Sequence, residues 1–464
     1  MVSTGTYDVI VVGCRVAGAA TALLLARQGV RVLAVDRARF PSDTLSSHQL
    51  QVPGVARLRR WGLLDQLVAA GTPPARDVRF DPGHVVLTGR YPHLDGVDAL
   101  YSPRRTLLDR ILVDAAQAAG AEVRENVDVD ELEWERDRVV GIRGRQRGGV
   151  PVRESARLVV GADGKHSRVA AAVGAPVDRS CPASTFACYT YWSGVPMAGG
   201  ELYQRPGRTV AAFPTNDNLT VVYVAGPAAD FAAFRSDVEG HYLRTLDTCG
   251  DLGARVRAGV RAERFRSTPD VPSMIRTPYG PGWALVGDAG LVMDPITGQG
   301  IGNAFRDAEF LVEAIVDGLD GGGGLDAALA GYRARRDTAA RPMYNLTVEL
   351  AAFRPTGTAE RLLFSALQGR QAGIDQFLAV LAGTLPMDRF RSPRNLLRLL
   401  GGRDLARIAA AELRGRLSPP RSAGRRRGSV EPAGEVGAGV GQFVGADDLN
   451  VGVEPVDRGG EAEP

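Results

Sequence analysis

The sequence contains little lysine, histidine or cysteine and no long apolar run. Among 464 residues, histidine occurs five times and cysteine four times. The cysteines show neither a Cys-x-x-Cys pair nor the cysteine–histidine spacing of metal ligands, which argues against a structural zinc site and a redox dithiol. No segment approaches the roughly 20 apolar residues that span a bilayer, and the N-terminus lacks a signal-like stretch. The sequence therefore predicts a cytoplasmic protein with no integral membrane segment and no bound metal.

Neither sign of charge is in clear excess. Lys+Arg total 56 and Asp+Glu total 53, which leaves a net charge of +3. Lys165 is the only lysine, so nearly all of the basic character is arginine. This balance gives no reason to expect a nucleic acid or an anionic membrane as a partner. With 44% hydrophobic residues, the chain can bury a sizeable core and has room for two or more domains.

A strand–helix–strand pattern opens the chain. Asp8 to Val12 and Val30 to Val35 are apolar enough for buried strands, and a helix is predicted from about Ala17 to Gln28. In dinucleotide-binding proteins a glycine turn before such a helix lets the backbone approach a pyrophosphate, and an acid after the second strand accepts from ribose hydroxyls. The residues that this pattern predicts to contact a dinucleotide are Gly13, Ala17, Gly18, Asp36 and Arg37.

An arginine stands in the middle of the glycine turn, which reads Gly13-Cys14-Arg15-Val16-Ala17-Gly18. The Gly-x-Gly-x-x-Gly pattern has glycine at that position because the backbone there approaches the phosphates. Arg15 could clash with the phosphates, turn its guanidinium toward them, or turn it toward a neighbouring carboxylate. The sequence leaves these three alternatives open, and Arg15 is a candidate cofactor contact.

A second candidate cation, Arg105, stands at the start of a predicted helix whose core-facing stripe includes Leu108 and Leu112. A positive charge at a helix N-terminus opposes the helix dipole, so another interaction should compensate it. A cofactor phosphate and an acidic neighbour are equally compatible with this position.

Two later segments place glycine and aspartate directly after predicted strands. Gly161-Ala162-Asp163-Gly164 follows Arg157 to Val160, and Gly287-Asp288 follows Trp283 to Val286, with Asp294 to Gly300 shortly after. Taken alone, the first segment is ordinarily a turn and the second a capping aspartate. The functional alternative is an aspartate on the ribityl chain of a flavin and a helix N-terminus aimed at its pyrimidine edge. The candidate contacts in these segments are Asp163, Gly164, Gly287, Asp288, Pro295, Gly298 and Gly300.

The order of these motifs resembles the FAD-dependent p-hydroxybenzoate-hydroxylase-like flavoproteins. The resemblance covers most of residues 5 to about 400, and it implies bound FAD with NAD(P)H as a transient co-substrate. The Gly-x-Arg-x-Ala-Gly turn, followed by Phe40-Pro41-Ser42-Asp43-Thr44-Leu45, is similar to a subgroup of FAD-dependent oxidoreductases or monooxygenases. The matching motifs are the turn at Gly13, Asp36, Arg105-x-x-Leu108-x-x-x-Leu112, Gly161-Ala162-Asp163-Gly164-x-x-Ser167-Arg168, and Gly287-Asp288-Ala289 with Asp294-Pro295.

This resemblance implies an α/β fold, in which a glutathione-reductase-type Rossmann FAD domain carries an inserted mixed β-sheet substrate domain and C-terminal helices. The inserted segment itself reads as strands at Phe186 to Trp192, Arg208 to Phe213 and Leu219 to Val224. The expected segments are 1–75, 98–178 and 272–330 for the FAD domain, 76–97 and 179–271 for the substrate domain, 331–416 for a C-terminal helical region and 417–464 for a disordered tail. Pro342, Pro355, Pro386 and Pro393 are expected to break the C-terminal helices.

Three chemistries occur among the proteins that the chain resembles, and the segment Thr209 to Pro214 separates them. Halogenases carry Trp-x-Trp-x-Ile-Pro there and a lysine between flavin and substrate, whereas geranylgeranyl-reductase-like enzymes carry Tyr-x-Trp-x-Phe-Pro. Here only Phe213-Pro214 remains, and Lys165 lies in the Asp-Gly motif. The sequence therefore favours an FAD-dependent monooxygenase that hydroxylates a small aromatic, polyketide or isoprenoid-like molecule. A double-bond reductase or dehydrogenase is the runner-up, and a flavin-binding protein without turnover is a third alternative.

Aromatic and histidine side chains are further candidates for contact with substrate or flavin. Tyr189, Tyr191, Trp192 and Phe213 could line the pocket, although aromatic residues in strands are more often plain core. His48 follows the second strand in a loop that the resemblance places near the flavin, and a surface or core role is the simpler expectation.

Overall fold

Two mixed sheets carry most of the strands of the protein. A computed structural model describes residues 7–46, 48–321 and 324–417. The strands are β1 Tyr7–Val12, β2 Val32–Asp36, β3 Pro74–Ala75, β4 Asp77–Asp81, β5 Leu87–Arg90, β6 Leu100–Tyr101, β7 Glu122–Glu125, β8 Val127–Glu135, β9 Arg138–Gln146, β10 Val150–Gly161, β11 Val177–Cys181, β12 Thr185–Ser193, β13 Gly199–Arg205, β14 Arg208–Pro214, β15 Thr220–Pro227, β16 Val260–Arg261, β17 Arg266–Thr268, β18 Ser273–Arg276, β19 Tyr279–Gly280, β20 Trp283–Leu285 and β21 Leu291–Val292. The α-helices are α1 Val16–Arg27, α2 Val52–Arg60, α3 Leu64–Ala69, α4 Arg105–Ala118, α5 Arg168–Ala172, α6 Phe231–Ser236, α7 Val238–Leu246, α8 Leu252–Ala258, α9 Gly300–Asp320, α10 Gly324–Ala351, α11 Thr358–Leu367, α12 Gln371–Leu381, α13 Met387–Phe390 and α14 Pro393–Leu417.

The first sheet contains the predicted strand–helix–strand unit. Its strand order is β19-β20-β10-β1-β2-β7, and β20, β10, β1, β2 and β7 run parallel to one another. Almost every residue of β1 and β2 is buried, as expected for parallel strands that are covered on both faces. The predicted unit is confirmed, with its boundaries shifted by one or two residues. The antiparallel arm of β8, β9 and the first half of β10 was not predicted.

The second sheet is built mainly from residues 185–227 and has the strand order β16-β12-β15-β14-β13-β4-β5. Its three predicted strands are confirmed as β12, β14 and β15. Side chains alternate between its faces, because successive residues of a strand point in opposite directions. Phe186 and Trp192 pack with the helices α6, α7 and α8, which were not predicted, whereas Tyr189 and Tyr191 face the larger core shared with the first sheet.

Helix α10 passes Pro342 without a break, which corrects the prediction that this proline ends a helix. Pro342 is exposed, and hydrogen bonds anchor the helix on both sides of it. The Tyr332 hydroxyl donates to the carbonyl oxygen of Leu285 (2.9 Å), and the Tyr344 hydroxyl donates to that of Ser273 (3.2 Å). This tertiary packing offsets the backbone hydrogen bond that proline cannot make.

The remaining predictions for the C-terminal part concern prolines, membrane segments and the tail. Pro355 lies between α10 and α11, while Pro386 and Pro393 precede or begin α13 and α14, as predicted. Across the described residues, no helix combines the length and the apolar character needed to cross a bilayer. The predicted disordered tail lies outside the described residues, apart from its first residue. The domain boundaries given above stay a prediction.

Candidate functional site

The three glycine-containing segments meet at one edge of the first sheet. Strands β20, β10 and β1 are parallel neighbours, with Val12 paired to Gly161 and Gly161 to Leu285. The residues that follow these three strand ends are therefore adjacent, although more than 270 positions separate the first from the last. In open α/β sheets, ligands bind outside the carboxyl ends of the strands. The motifs thus come together where a ligand would be expected.

Close backbone approach explains why glycine occupies these positions. Gly13 has φ +99°, and a Cβ there would stand 2.8 Å from the carbonyl carbon of Ala162. A Cβ on Gly18 would overlap the carbonyl oxygen of Gly13 and lie 2.8 Å from its carbonyl carbon. A Cβ on Gly287 would be 2.6 Å from that of Ala17. The segments are packed so tightly that side chains are excluded, independently of any ligand.

Arg15 turns its guanidinium toward a carboxylate, the third of the alternatives open at its position. It donates to Asp109 Oδ2 (2.8 Å) in helix α4. It also donates to the Ser42 carbonyl oxygen (3.2 Å) and hydroxyl (3.1 Å) and to the Asp43 carbonyl oxygen (3.2 Å). The guanidinium therefore ties the glycine turn to α4 and to the loop around Ser42.

Asp109 also compensates the positive charge of Arg105, so the interaction expected for Arg105 is with an acidic neighbour one helical turn away. Arg105 donates to both oxygens of Asp109, at 3.0 and 3.1 Å. The Asp109 side chain is completely buried, and this burial raises its pKa while Arg105 and Arg15 oppose the rise. Two guanidinium groups share one carboxylate, so the cluster retains a net positive charge beside the glycine turn. Sequence reasoning missed Asp109, although its spacing of four residues from Arg105 could have indicated the pair.

Asp36 holds the glycine turn against the end of β2. Its Oδ2 accepts from the Cys14 backbone N–H (2.6 Å) and its Oδ1 from that of Ala38 (2.7 Å). A carboxylate oxygen can accept more than one hydrogen bond, so a ribose contact at Asp36 remains compatible with these bonds. Arg37, the next residue, is exposed.

The Asp163 carboxylate is hydrogen-bonded to the first turn of the short helix α5, whose N-cap residue is Ser167. Its Oδ2 accepts from the backbone N–H groups of Arg168 (2.7 Å) and Val169 (3.2 Å). Its Oδ1 is buried and has no hydrogen-bond partner among the described residues. A Cβ on the adjacent Gly164 would meet no atom within 4 Å. Asp163 therefore has one oxygen left for a group beside this open position.

Asp288 and the segment after it form the third part of the site. The Asp288 side chain is exposed, although the residues on either side of it are buried. Pro295–Thr297 form a single helical turn, and Gly298 follows with φ +63°. Gly300, the first residue of α9, is exposed, and a Cβ there would meet no atom within 4 Å.

A buried carboxyl group, Asp294, supports this turn. Its Oδ1 accepts from the Ile296 backbone N–H (2.9 Å), and Oδ2 accepts from the Thr185 hydroxyl in the second sheet. Burial raises its pKa to about 6, opposed by these two hydrogen bonds. The folded state therefore binds more protons than the unfolded state between about pH 4 and about pH 6, where a free carboxyl group is already ionised.

This pKa predicts how Asp294 changes stability with pH. Because a proton stabilises the folded state, the free energy of unfolding should fall by about 1.4 kcal/mol between about pH 5 and about pH 7.5 on account of Asp294. Asp294→Asn lacks this proton, so its stability relative to the wild type should rise by the same amount over that interval. Urea unfolding of both proteins at the two pH values measures the difference. A difference that does not change with pH would show that Asp294 ionises like a free carboxyl group.

An apolar cavity lies beside this turn, between the second sheet and the C-terminal helices. Of the four aromatic residues considered as pocket lining, only Phe213 lines it; Trp192 packs on the other face of the sheet, and Tyr189 and Tyr191 pack around His48. The sequence could not indicate the cavity, because its walls come from six separate parts of the chain. The lining residues are Gln49, Gln51, Tyr91, Leu202, Thr209, Ala211, Phe213, Val221, Tyr223, Pro295, Ile296, Thr297, Met343, Leu346, Leu350, Val380 and Leu381.

His48 is completely buried, as the core alternative expects. The Tyr191 hydroxyl is hydrogen-bonded to His48 Nε2. Burial lowers the pKa of His48 well below its usual value, and the charges of Arg105 and Arg104 add to this effect. The imidazole is therefore neutral at physiological pH.

The assembled residues fit FAD. The glycine turn and the N-terminus of α1 expose backbone N–H groups, and the Arg15–Asp109–Arg105 cluster adds positive charge, which together suit a pyrophosphate. The unpartnered Asp163 Oδ1 can accept from a hydroxyl group. The exposed backbone at Gly300 leaves space where a Cβ would project. These features are the ones that a dinucleotide-binding site requires.

Comparison with known proteins shows the family. The FAD binding domain family matches residues 6–347, and the chain belongs to it. The protein is an FAD-dependent oxidoreductase, and FAD is its cofactor.

Similar proteins include more than one activity. The chain is 29% identical to 6-methylpretetramide 4-monooxygenase from Streptomyces rimosus, over 67% of this chain and 76% of that protein. It is 27% identical to digeranylgeranylglycerophospholipid reductase 1 from Methanococcoides burtonii, over 68% of this chain and 75% of that protein.

Solved structures share the fold. The flavin-dependent brominase Bmp2 superposes with a TM-score of 0.71 at 19% identity, covering 89% of this chain and all of the other. PqsL, a probable FAD-dependent monooxygenase from Pseudomonas aeruginosa, superposes with a TM-score of 0.62 at 23% identity, covering 80% of this chain and 99% of the other.

Proposed function

We propose that the protein is a monooxygenase that takes reducing equivalents from NAD(P)H and inserts one oxygen atom from O2 into a small aromatic, polyketide or isoprenoid-like molecule. The observation that carries this proposal is the identity of the side chains that line the cavity on β14. Thr209, Ala211 and Phe213 alternate along the strand and all face the cavity. They are the same three positions at which the halogenase and reductase motifs carry large side chains.

Small residues at two of these positions change what the cavity can hold. In the reductase-like motif Thr209 would be tyrosine and Ala211 tryptophan, and both rings would point into the space between the second sheet and the C-terminal helices. Here that space is left to the substrate. Lys165, the only lysine, is paired with Asp270 at 2.8 Å, so it is not free to serve as the lysine of a halogenase. The cavity therefore favours the monooxygenase over both other chemistries.

In this proposal, one set of residues binds FAD and another shields the substrate from water. FAD, when bound, supplies the electron transfer and the oxygen chemistry. We propose that Gly13, Ala17, Gly18 and Arg15 hold its pyrophosphate, with Asp36 and Arg37 at the ribose end. The apolar walls of the cavity exclude water from the substrate, and one wall is formed by Pro295–Thr297, which includes the proposed flavin contact Pro295. The remaining proposed contacts are Arg105, Asp163, Gly164, Gly287, Asp288, Pro295, Gly298 and Gly300.

The role of Gly300 can be separated from any role in folding. Gly300→Leu places a side chain at an exposed helix start where a Cβ would meet no atom within 4 Å, so the apoprotein should retain its fold. If FAD occupies that space, its dissociation constant should rise at least about tenfold, which corresponds to about 1.4 kcal/mol. Thermal unfolding of the apoprotein and titration with FAD measure the two quantities. Unchanged FAD affinity would place the flavin elsewhere.

The second candidate, a double-bond reductase, is favoured by the similarity to the digeranylgeranylglycerophospholipid reductase. The two activities differ in their need for oxygen. Substrate-stimulated oxygen uptake by FAD-loaded protein with NADH or NADPH, with little peroxide released, would support the monooxygenase. Nicotinamide oxidation without oxygen, coupled to the loss of a substrate double bond, would establish the reductase instead. A panel of phenols, polyketides and isoprenoids under both atmospheres distinguishes them.

A further inference from the structure

We propose that the cavity selects an uncharged, largely apolar molecule that carries a hydroxyl group, and that it rejects carboxylates. This inference rests on the proposed function for the position of the substrate, since it places the substrate in the cavity beside Pro295–Thr297. It goes further by assigning the chemical class that the cavity accepts. Three features of the walls support it: their lack of charge, the carboxyl group behind them, and two polar atoms that have no partner.

No charged side chain is among the residues that line the cavity in the described part of the chain. The walls are mainly aliphatic, with Met343, Leu346 and Leu350 of α10 facing Val221 of the second sheet and Val380 of α12. An ionised carboxylate in such surroundings would lose its hydration and gain no counter-ion. The effective penalty for burying an unpaired ion in a protein is several kcal/mol. An anionic substrate would therefore bind poorly, however well its apolar part fitted.

The carboxyl group of Asp294, next to the cavity wall, makes the cavity still less favourable for anions. Asp294 directly precedes the lining residues Pro295 and Ile296, and its charge acts on Tyr223 across the cavity wall. With a pKa of about 6, Asp294 is ionised at alkaline pH. Its negative charge would repel a carboxylate in the cavity, because the low dielectric of the interior strengthens interactions between charges.

Two lining residues carry buried polar atoms without partners. The Tyr223 hydroxyl and Gln51 Oε1 are buried, and neither has a hydrogen-bond partner among the described residues. Such atoms are rare in folded proteins, since each costs about 1–3 kcal/mol when it is left unpaired. A substrate hydroxyl can both donate and accept, so it can pair with the amide of Gln51 and with the phenol of Tyr223. A hydrocarbon could pair with neither atom, and a ketone, which only accepts, could pair with the Tyr223 hydroxyl but not with Gln51 Oε1.

Binding of three anthracenes that differ in one group tests the proposal directly. The probes are 2-(hydroxymethyl)anthracene, 2-methylanthracene and anthracene-2-carboxylic acid, each measured by equilibrium dialysis against the FAD-loaded protein at alkaline pH. Farnesol and farnesoic acid repeat the comparison on an isoprenoid chain. We expect each alcohol to bind at least about 100-fold more tightly than its acid, and the anthracene alcohol about tenfold more tightly than the methyl compound. Acids that bind as tightly as the alcohols, or no binding by either alcohol, would overturn the proposal.

Variants locate the hydroxyl contact. Tyr223→Phe and Gln51→Leu should each reduce the advantage of 2-(hydroxymethyl)anthracene over 2-methylanthracene to about twofold or less, with little change for the methyl compound. Tyr203→Phe is the matched control, because it removes a hydroxyl group from the opposite face of the same sheet, where Tyr203 donates to Glu201 (2.6 Å). Two variants at separate positions keep the test decisive if one of them fails to fold. An unchanged advantage in both folded variants would place the hydroxyl group elsewhere.

Dialysis also separates this proposal from the proposed function. Selective binding of the alcohols by a protein that shows no substrate-stimulated oxygen uptake would leave the cavity assignment in place and remove the monooxygenase. Oxygen uptake stimulated by the acids would support the monooxygenase and overturn the proposed selectivity of the cavity.

Discussion

Replacing Gly18 with alanine is expected to destabilise the protein by at least about 3 kcal/mol and to abolish FAD binding. The added Cβ would overlap the carbonyl oxygen of Gly13 and would stand 3.1 Å from the Cβ of Ala162. The first obstacle is backbone, which cannot rotate away as the end of a side chain can. The turn and helix α1 would have to separate, and the N–H groups proposed to face the pyrophosphate would move with them. Urea unfolding and the FAD content of the purified protein measure the two effects.

Gly331→Ala is the matched control for this substitution. Gly331 lies inside helix α10, and a Cβ there would meet no atom within 4 Å. Alanine should therefore raise stability by about 0.5–1 kcal/mol through its higher helix propensity, with no effect on FAD. If Gly18→Ala unfolded at the same urea concentration as the wild type and retained FAD, the close approach at the turn would be wrong.

The second large effect is expected at Asp109. Asp109→Asn keeps the shape of the side chain but leaves Arg15 and Arg105 without a negative partner. Removal of one member of a buried ion pair typically costs about 3–5 kcal/mol, and the value here should lie toward the lower end because Arg15 is partly exposed. The loss should be smaller when Arg15→Met is introduced together with Asp109→Asn, since one uncompensated charge is then removed. Urea unfolding of the two single variants and the double variant measures this coupling.

Helix α4 itself supplies the control. Arg110 and Asp114 form an exposed pair with the same spacing as Arg105 and Asp109. Asp114→Asn should lower the free energy of unfolding by no more than about 0.5 kcal/mol, because water already solvates the charges of both Arg110 and Asp114. Equal losses at Asp109 and Asp114 would mean that burial does not set the strength of these pairs.

Local sequence was enough to predict the elements around the glycine segments. Each candidate strand there is a short apolar run followed by glycine, and the start of α1 was predicted to within one residue. The order of the motifs then indicated FAD, which the family match confirms. The contribution of each predicted contact residue to FAD binding stays a prediction.

What the sequence could not supply was the partner of each polar group. Arg15 had three compatible environments, and its partner Asp109 lies 94 positions away. The sequence also could not show that α10 continues past Pro342, because the contacts that hold the helix on both sides of this proline come from distant strands. The cavity has the same origin. Its walls, like the partner of Arg15, depend on tertiary packing, which local patterns do not record.

The positions of the cavity walls have a consequence for how this protein can diversify. The glycine segments lie at the ends of β1, β10 and β20, whereas one wall of the cavity belongs to α12, at residues 371–381, beyond the matched family region 6–347. Substitutions at Val380 and Leu381 can reshape the cavity without reaching the tightly packed turns. If the substrate occupies this cavity as proposed, natural selection can change the molecule on which the enzyme acts while the residues around the cofactor stay the same. A library for directed evolution would then begin at these two residues.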